Sequence, residues 1–319
     1  MQLVGKTEQN THASGRRRRL GIAVAALLVA ALGTACGSSA PHGAAPHPKT
    51  AKEREKGKPE ALGAPAALPG SYAYRVQQPQ QARVAAARKW GLAGTPLLPP
   101  APPKEKPEIS PREGFEVEDQ QSLQLPPVFT TVPTTQKVVF LTIDDGAEKD
   151  PEFLRMMEEL RIPYTAFLSD YLVRDDYPYF RKMQDLGVTL NNHTLNHRYL
   201  PALSYEKQRE EICGQQDTIE KQFGRRPSVF RPPYGNYNQD TLRAAKSCGI
   251  KAVPLWNSEA FVDHMEWREY DQDLHPGDII LTHFRGREDW KGTMPDMIRR
   301  VMKTVTDKGY AVAKLEDYL

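Results

Sequence analysis

Residues 138–146 read VVFLTIDDG, an apolar and β-branched run that ends in two carboxylates and a glycine. The run is short and a turn residue follows it at once, so it predicts a buried strand. Two anionic side chains at the end of a buried strand are costly unless cations or hydrogen-bond donors lie beside them. Because successive side chains on a strand point to opposite sides, Asp144 and Asp145 can have separate roles, such as proton acceptor and metal ligand. Taken alone, the pair more often marks a turn with a capping aspartate, so the interpretation depends on later residues.

From about Lys137 onward, short apolar runs alternate with amphipathic stretches. Strands are predicted at residues 138–143, 164–168, 188–191, 229–231, 251–255, 278–282 and 311–315. Helices are predicted at residues 151–160, 177–186, 205–223, 239–247 and 295–308. Proline near helix starts and glycine just past helix ends support these boundaries. The alternation predicts the α/β class, as a distorted, incomplete β/α barrel of about seven parallel strands, because about 180 residues are few for eight βα units.

The first 36 residues predict an export signal. Four arginines at 16–19 precede an uncharged run at 20–32 that is rich in Ala, Leu and Val. That run is shorter than the ~20 residues that span a bilayer, so the pattern is typical of a secretory signal peptide. The sequence LGTACG at 32–37 resembles a bacterial lipoprotein signal, although its Leu stands one place further from Cys36 than usual. We therefore expect lipidation of Cys36 and anchoring at the outer face of the cell membrane; ordinary signal cleavage, an uncleaved anchor and the twin-arginine route are alternatives.

Residues 37–133 predict a disordered tether rich in proline. They hold 17 of the chain's 27 prolines and few apolar side chains, so they bury too little surface to offset the ordering of the chain. Only residues 80–90 carry enough alanine for a short helix, and no core for it is evident. As a flexible chain the segment would span on the order of 50 Å, a reach that suits a membrane anchor facing a cell wall.

Charge argues against a nucleic-acid partner, and the cysteine count leaves a disulfide possible. The formal net charge is +3, yet from Thr134 onward 26 Lys and Arg face 30 Asp and Glu. This mildly acidic region, predicted as a monomeric domain at 134–319, offers no basic stripe for nucleic acid. Cys213 and Cys248 form an even set in an oxidising compartment, which fits either a disulfide or two buried thiols.

Several predicted strands end in residues that can carry chemistry, and in β/α folds such strand ends form the site. These residues are Asp144 and Asp145, His193 and His197, Arg231, Trp256 and Glu259, and His283. His193 and His197 are four residues apart, so on a helical turn their rings could share one cation. Two imidazoles and a carboxylate are typical of a catalytic zinc site. A histidine pair at this spacing is more often structural, and it is the nearby aspartates that favour the metal.

The ordered motifs resemble the polysaccharide deacetylase (NodB-like) family of carbohydrate esterases. They are TIDDG at 142–146, HTLNH at 193–197, RPPYG at 231–235, Trp256, and LTH at 281–283. The resemblance covers about residues 137–319 and is specific because the motifs recur in order. It implies that Asp145, His193 and His197 hold a divalent metal, with zinc foremost and cobalt, nickel or manganese as alternatives.

The resemblance also implies the remaining roles. Asp144 would be the general base, and Arg231 would keep it anionic and oriented. The backbone N–H of Tyr234 would stabilise the oxyanion, and His283 would protonate the leaving amine.

An apolar slot for the acetyl methyl group is expected at Trp256 and Leu281, although ordinary core packing would explain these two residues equally well. Glu259 aligns with the aspartate that orients the general acid in the family, and Asp263 lies nearby as an alternative.

Three further departures from the family pattern stand beside the motifs. Ile143 replaces a usual Phe, Arg198 a common Pro, and Phe284 a frequent acidic residue. These changes leave the implied metal ligands and base intact, and they alter the expected surroundings of His283.

The sequence thus predicts a metal-dependent enzyme that removes N-acetyl groups from a polysaccharide, most simply peptidoglycan or a chitin-like N-acetylglucosamine polymer. A glycan-binding lipoprotein that keeps the fold without turnover is one alternative, and an O-acetyl esterase acting on a plant polysaccharide is another. A non-haem iron oxygenase also uses two histidines and a carboxylate, but strand–helix alternation argues against it.

Overall fold

The structure, a computed structural model, describes residues 72–111, 117 and 119–319. The predicted signal peptide, Cys36 and the first part of the predicted tether lie outside these residues. None of the described helices is long and apolar enough to cross a membrane.

A mixed sheet forms the centre of the described chain. The strands are β1 (Val128–Phe129), β2 (Val138–Asp145), β3 (Thr165–Leu168), β4 (Thr189–Asn192), β5 (Val253–Pro254), β6 (Ser258–Ala260), β7 (Met265–Trp267), β8 (Ile279–His283) and β9 (Ala311–Ala313). Among the described residues, the main sheet has the order β4-β3-β2-β8-β6-β7, with β9 also paired to β2, while β1 and β5 form a separate parallel pair. Among the strands that the structure describes in the main sheet, only β7 runs antiparallel, so the prediction of a distorted barrel of about seven strands is confirmed with one strand reversed.

Helices cover the outside of this sheet. They are α1 (Tyr72–Lys89), α2 (Pro151–Leu160), α3 (Asp170–Val173), α4 (Tyr177–Asp185), α5 (Tyr205–Phe223), α6 (Gln239–Ser247), α7 (Arg287–Trp290) and α8 (Met294–Asp307). The bounds predicted for α2, α5 and α6 match, and local signals explain why. Asp150 caps α2 through the backbone N–H of Glu152, and Gly224 ends α5 in the left-handed conformation.

Strand β2 is central because three strands pair with it. Its register sets Asp144 opposite Phe167 of β3 and His283 of β8. Val139, Leu141 and Ile143 belong to the main core cluster, whereas Phe140 packs in another cluster on the alternate face. Burial on both faces explains why β2 is continuously apolar, and its pairing brings two strand ends together at one edge.

The prediction of a disordered tether is wrong for helix α1 and the loop that follows it. Helix α1 and the loop after it pack against the domain, with Ala86, Ala87 and Trp90 in the main core. The Trp90 indole donates to Glu159 of α2 at 2.7 Å, and buried Arg83 donates to the carbonyl of Leu160 at 3.4 Å. The short alanine-rich helix does find a core, because α2, distant in sequence, supplies it.

Two other local expectations need correction. Residues 229–231 form only isolated bridges to neighbouring chain segments, and not a strand of their own. The hairpin of β6 and β7 was not predicted, because its strands are short and carry charged residues.

Cys213 and Cys248 form a disulfide that joins the middle of α5 to the end of α6. The sequence left a disulfide and two buried thiols as alternatives, and the structure has the disulfide. Its 35-residue separation means that it closes a substantial loop in the unfolded chain.

Candidate metal and active site

The end of β2 turns both aspartates toward the same site. Strand alternation alone would point Asp145 to the face of Ile143, which is core. Asp145 instead has φ of +81°, a left-handed conformation that redirects its side chain. Backbone strain of this kind is costly in a non-glycine residue and gathers at functional sites. Asp144 and Asp145 are both almost fully buried as a result.

His193 and His197 lie on a loop, and not on the helical turn that their spacing suggested. Thr194 and His197 both have positive φ, which folds the loop tightly. Glu211 of α5 anchors the loop by accepting from the backbone and side-chain amide groups of Asn196, at 2.8 and 2.9 Å. The two imidazole rings consequently come together, with centroids 4.8 Å apart.

Asp145, His193 and His197 form a constellation whose ligand atoms all lie within 4.8 Å of one another. Nδ1 of His193 lies 2.7 Å from the carbonyl of Arg231 and must donate to it, because a carbonyl only accepts. The lone pair of Nε2 therefore faces Oδ1 of Asp145, 3.6 Å away, and Nε2 of His197 lies 3.3 Å from the same oxygen.

This arrangement fits a cation. Burial lowers the pKa of His193 and of His197 to about 4, so both imidazoles are neutral near pH 7. Nη2 of Arg285 lies 3.1 Å from Oδ2 of Asp145, and this positive charge favours the anionic form of the carboxylate. Buried Oδ1 of Asp145 has no hydrogen-bond partner among the described residues. An anionic oxygen that faces two imidazole nitrogens without a proton between them matches the donor set of a divalent metal.

Arg231 supports Asp144 from beneath the site. Its fully buried guanidinium donates to Oδ1 of Asp144 at 2.8 Å and to the hydroxyl of Thr142 at 2.9 Å. It also donates to the carbonyls of Pro254 and Leu255, at 2.8 and 3.0 Å. Burial raises the pKa of Asp144, while the charge of Arg231 opposes that rise. The hydrogen bond from Arg231 holds the Asp144 carboxylate in one orientation, and the raised pKa lets it accept a proton.

His283 at the end of β8 and Glu259 on the adjacent strand β6 are neighbours. Nδ1 of His283 lies 3.4 Å from Oε1 of Glu259, whereas Asp263 is exposed and pairs with His264. The geometry therefore favours Glu259 over Asp263 as the partner of His283. Burial, together with Glu266 on the neighbouring strand, raises the pKa of Glu259 to about 7. Burial also lowers the pKa of His283, against the pull of nearby carboxylates.

Tyr234, predicted to stabilise the oxyanion, and the predicted pocket residues Trp256 and Leu281 lie in or beside the chain segments that carry the site residues. Tyr234 has φ of +63°, and its ring and that of His197 make a T-shaped contact with centroids 4.7 Å apart. Trp256 packs so closely on Gly235 that a Cβ there would approach the indole to 2.9 Å. Leu281 is buried two residues before His283 on β8, so the two side chains share one face.

The structure shows where the three residues that depart from the family pattern lie. Phe284 is fully buried and packs edge-on against Phe153 and Phe180, so it belongs to the core. Ile143 is likewise buried in the core, and Arg198 is exposed beside His197.

Sequence reasoning missed two residues at the rim of the site. Nη2 of Arg285 donates to Oδ2 of Asp145 at 3.1 Å. Tyr171 is half-exposed, and partial burial together with the charge of Asp145 raises the pKa of its phenol. Neither residue lies in a recognisable motif, and only the sheet register brings Arg285 to Asp145.

Comparison with known proteins gives the family. The sequence profile of the polysaccharide deacetylase family matches residues 131–253. The chain is 41% identical over 197 residues to "Uncharacterized protein SCO4760" of Streptomyces coelicolor, which covers 61% of this chain and 78% of that protein. This chain belongs to the polysaccharide deacetylase family.

Two further proteins show what this chain is similar to. One is the peptidoglycan-N-acetylmuramic acid deacetylase PdaA of Bacillus subtilis, 27% identical over 198 residues that cover 58% of this chain and 73% of PdaA. The other is the crystal structure of a CE4 family pseudoenzyme from Bacillus anthracis, with a TM-score of 0.52 and 19% identity over 60% of this chain and 69% of that one. The structural likeness supports the same fold.

Proposed function

We propose that this chain is a metal-dependent deacetylase that hydrolyses the N-acetyl groups of a polysaccharide, either peptidoglycan or a chitin-like N-acetylglucosamine polymer. The observation that carries the proposal is Oδ1 of Asp145, buried without a hydrogen-bond partner among the described residues and facing two neutral imidazoles. Two pairs lie beside it: Asp144 with Arg231, and His283 with Glu259. Hydrolysis of an amide needs a base and an acid, and these pairs can supply them.

Asp145, His193 and His197 would hold the metal, with zinc first among the candidates. A divalent ion there supplies Lewis acidity and lowers the pKa of water. Asp144 takes the proton of the attacking water, and Arg231 keeps that carboxylate in place throughout.

The far side of the site serves the leaving group. The backbone N–H of Tyr234 donates to the oxygen that gains charge as the carbonyl becomes tetrahedral. His283 gives its proton to the departing nitrogen, so that water and the acetamide become acetate and a free amine. Glu259 orients His283, while Trp256 and Leu281 wall the space for the methyl group.

The proposed setting is the bacterial envelope. The basic and apolar N-terminal pattern supports export with a lipid at Cys36, which would hold a monomer at the outer face of the membrane. The name of the similar Bacillus subtilis protein PdaA, a peptidoglycan-N-acetylmuramic acid deacetylase, supports an envelope glycan as substrate. The net negative charge from Thr134 onward does not favour nucleic acid.

Mass spectrometry of glycan products tests this function. The zinc-loaded protein should remove acetyl groups from peptidoglycan fragments or chitin oligomers, and Asp144→Asn should abolish this. Asp263→Asn, which changes an exposed carboxylate away from the site, is the matched control and should retain activity.

Failure of the unaltered protein on both glycans would reject the proposal. Release of acetate from acetylated xylan alone would point to an O-acetyl esterase. Glycan binding without release of acetate would indicate a binding protein with the same fold.

A further inference from the structure

We propose that Arg285 is a positioning residue, which holds Asp145 with Oδ1 turned toward His193 and His197. The two oxygens of Asp145 have different surroundings in the structure. Oδ2 accepts from Nη2 of Arg285 at 3.1 Å, while Oδ1 faces His193 and His197. This inference rests on the metal site of the proposed function, and it adds a residue that none of the sequence motifs contains.

The backbone around Arg285 is fixed from several sides. The N–H of Phe284 donates to the carbonyl of Asp144 at 3.0 Å, and the N–H of Glu148 donates to the carbonyl of Phe284 at 3.0 Å. Phe284 itself is buried in the core. A Cβ at Gly286 would approach Oε2 of Glu148 to 2.1 Å, so these two loops pack in close contact. Arg285 therefore starts from a rigid position beside Asp145.

The guanidinium is held between two carboxylates. Nη2 contacts Asp145, and Nη1 lies 3.6 Å from Oδ1 of Asp289, one turn along the chain. The side chain of Arg285 is 40% exposed, so its removal opens no cavity in the core. Its contact with Asp145, in contrast, lies on a carboxylate that is 4% exposed. The arrangement thus suits orientation of Asp145 more than support of the fold.

Orientation and charge predict opposite effects on metal binding. The terminal torsion of an aspartate is broad, so without a partner on Oδ2 the carboxylate samples several orientations. Partners that orient a ligand typically contribute 10–100-fold to metal affinity. A fixed cation so close to a divalent ion would, by its charge alone, weaken binding. If Arg285 orients Asp145, its removal weakens metal binding; if only its charge matters, its removal strengthens metal binding. The direction of the change in metal affinity therefore distinguishes the two.

Calorimetric titration of Zn²⁺ into the metal-free protein measures that change. Arg285→Met, which keeps the length of the chain without its donors, should weaken zinc binding about tenfold or more. Arg285→Lys, which retains a charged donor, should recover much of the affinity. Arg287→Met changes an exposed arginine two residues away and is the control, expected to bind zinc like the unaltered protein.

Asp289→Asn gives a second, independent variant. It removes the charge that holds Nη1 without touching Asp145, so a smaller loss of zinc affinity is expected. Thermal unfolding of the metal-free variants should match that of the unaltered protein, because positioning does not support the fold.

The outcomes separate the two proposals. If the unaltered protein binds zinc and Arg285→Met binds it as tightly or more tightly, the positioning role is wrong and the metal site stands. A loss of affinity that Lys does not recover and that accompanies a lower melting temperature would also overturn the positioning role. If the unaltered protein binds no divalent metal, both proposals fail.

Discussion

Replacement of Arg231 by Met should destabilise the protein strongly and in a pH-dependent way. The guanidinium is fully buried and makes hydrogen bonds to Asp144, Thr142 and the carbonyls of Pro254 and Leu255. Breaking a buried ion pair by removal of one partner costs about 3–5 kcal/mol, since the other charge remains buried and alone. Because a folded domain has a free energy of unfolding of about 5–15 kcal/mol, the loss is a large share of the total.

The pH dependence follows from Asp144. Burial already raises its folded-state pKa above the unfolded value, and Arg231 is the largest influence that opposes the rise. In Arg231→Met the folded pKa rises further, so native Asp144 holds its proton to higher pH than in the unaltered protein. A raised carboxyl pKa destabilises as the pH climbs above the unfolded pKa, so the deficit of the variant should be larger near pH ~8 than near pH ~5.

Urea unfolding at the two pH values measures both effects. Arg243→Met, which removes a surface pair with Asp240, is the control and should change the free energy of unfolding by less than about 1 kcal/mol. A loss for Arg231→Met below about 1 kcal/mol, equal at both pH values, would refute the assignment of Arg231 as the buried partner of Asp144.

Three further predictions concern the pair of His283 and Glu259, helix α1 and the disulfide. Glu259→Gln removes the carboxyl group that lies beside Nδ1 of His283, so the rate of deacetylation should fall because the imidazole loses the partner that orients it, while the affinity for zinc should not change; an unchanged rate would contradict the pairing. Trp90→Ala should lower the free energy of unfolding by about 3 kcal/mol in urea, whereas a change near zero would mean that α1 is not part of the core. Double replacement of Cys213 and Cys248 by Ser should cost about 3 kcal/mol in the same assay, and reductant should destabilise the unaltered protein but not the variant.

The elements that could be predicted from the sequence are those with local signals. Helices α2, α5 and α6 carry caps and periodic apolar residues within their own length. Helix α1 packs through contacts with Glu159 and Leu160, about 70 residues away, which no local pattern encodes. The hairpin of β6 and β7 was not predicted for a similar reason, because the pairing of its two strands defines it and their composition does not.

The site divides in the same manner. Asp144, Asp145 and His283 belong to short ordered motifs at strand ends, so their closeness in the structure could be predicted from residue type and order. The left-handed backbone of Asp145 could not be, because a non-glycine residue adopts it only under constraint from the surrounding fold. The contact of Arg285 with Asp145 could not be predicted, because it depends on the pairing of β2 with β8, which brings residues distant in sequence together.

Acetate release from an N-acetylated glycan oligomer, measured as zinc is titrated into the metal-free protein, tests the central claim most directly. Turnover should be absent in chelator, rise with zinc and level off when one ion is bound per chain. His197→Ala, which removes one of the three expected ligands, should require far more zinc or remain inactive. Turnover that persists in the metal-free protein, or that His197→Ala leaves unchanged, would contradict a metal-dependent deacetylase built on Asp145, His193 and His197.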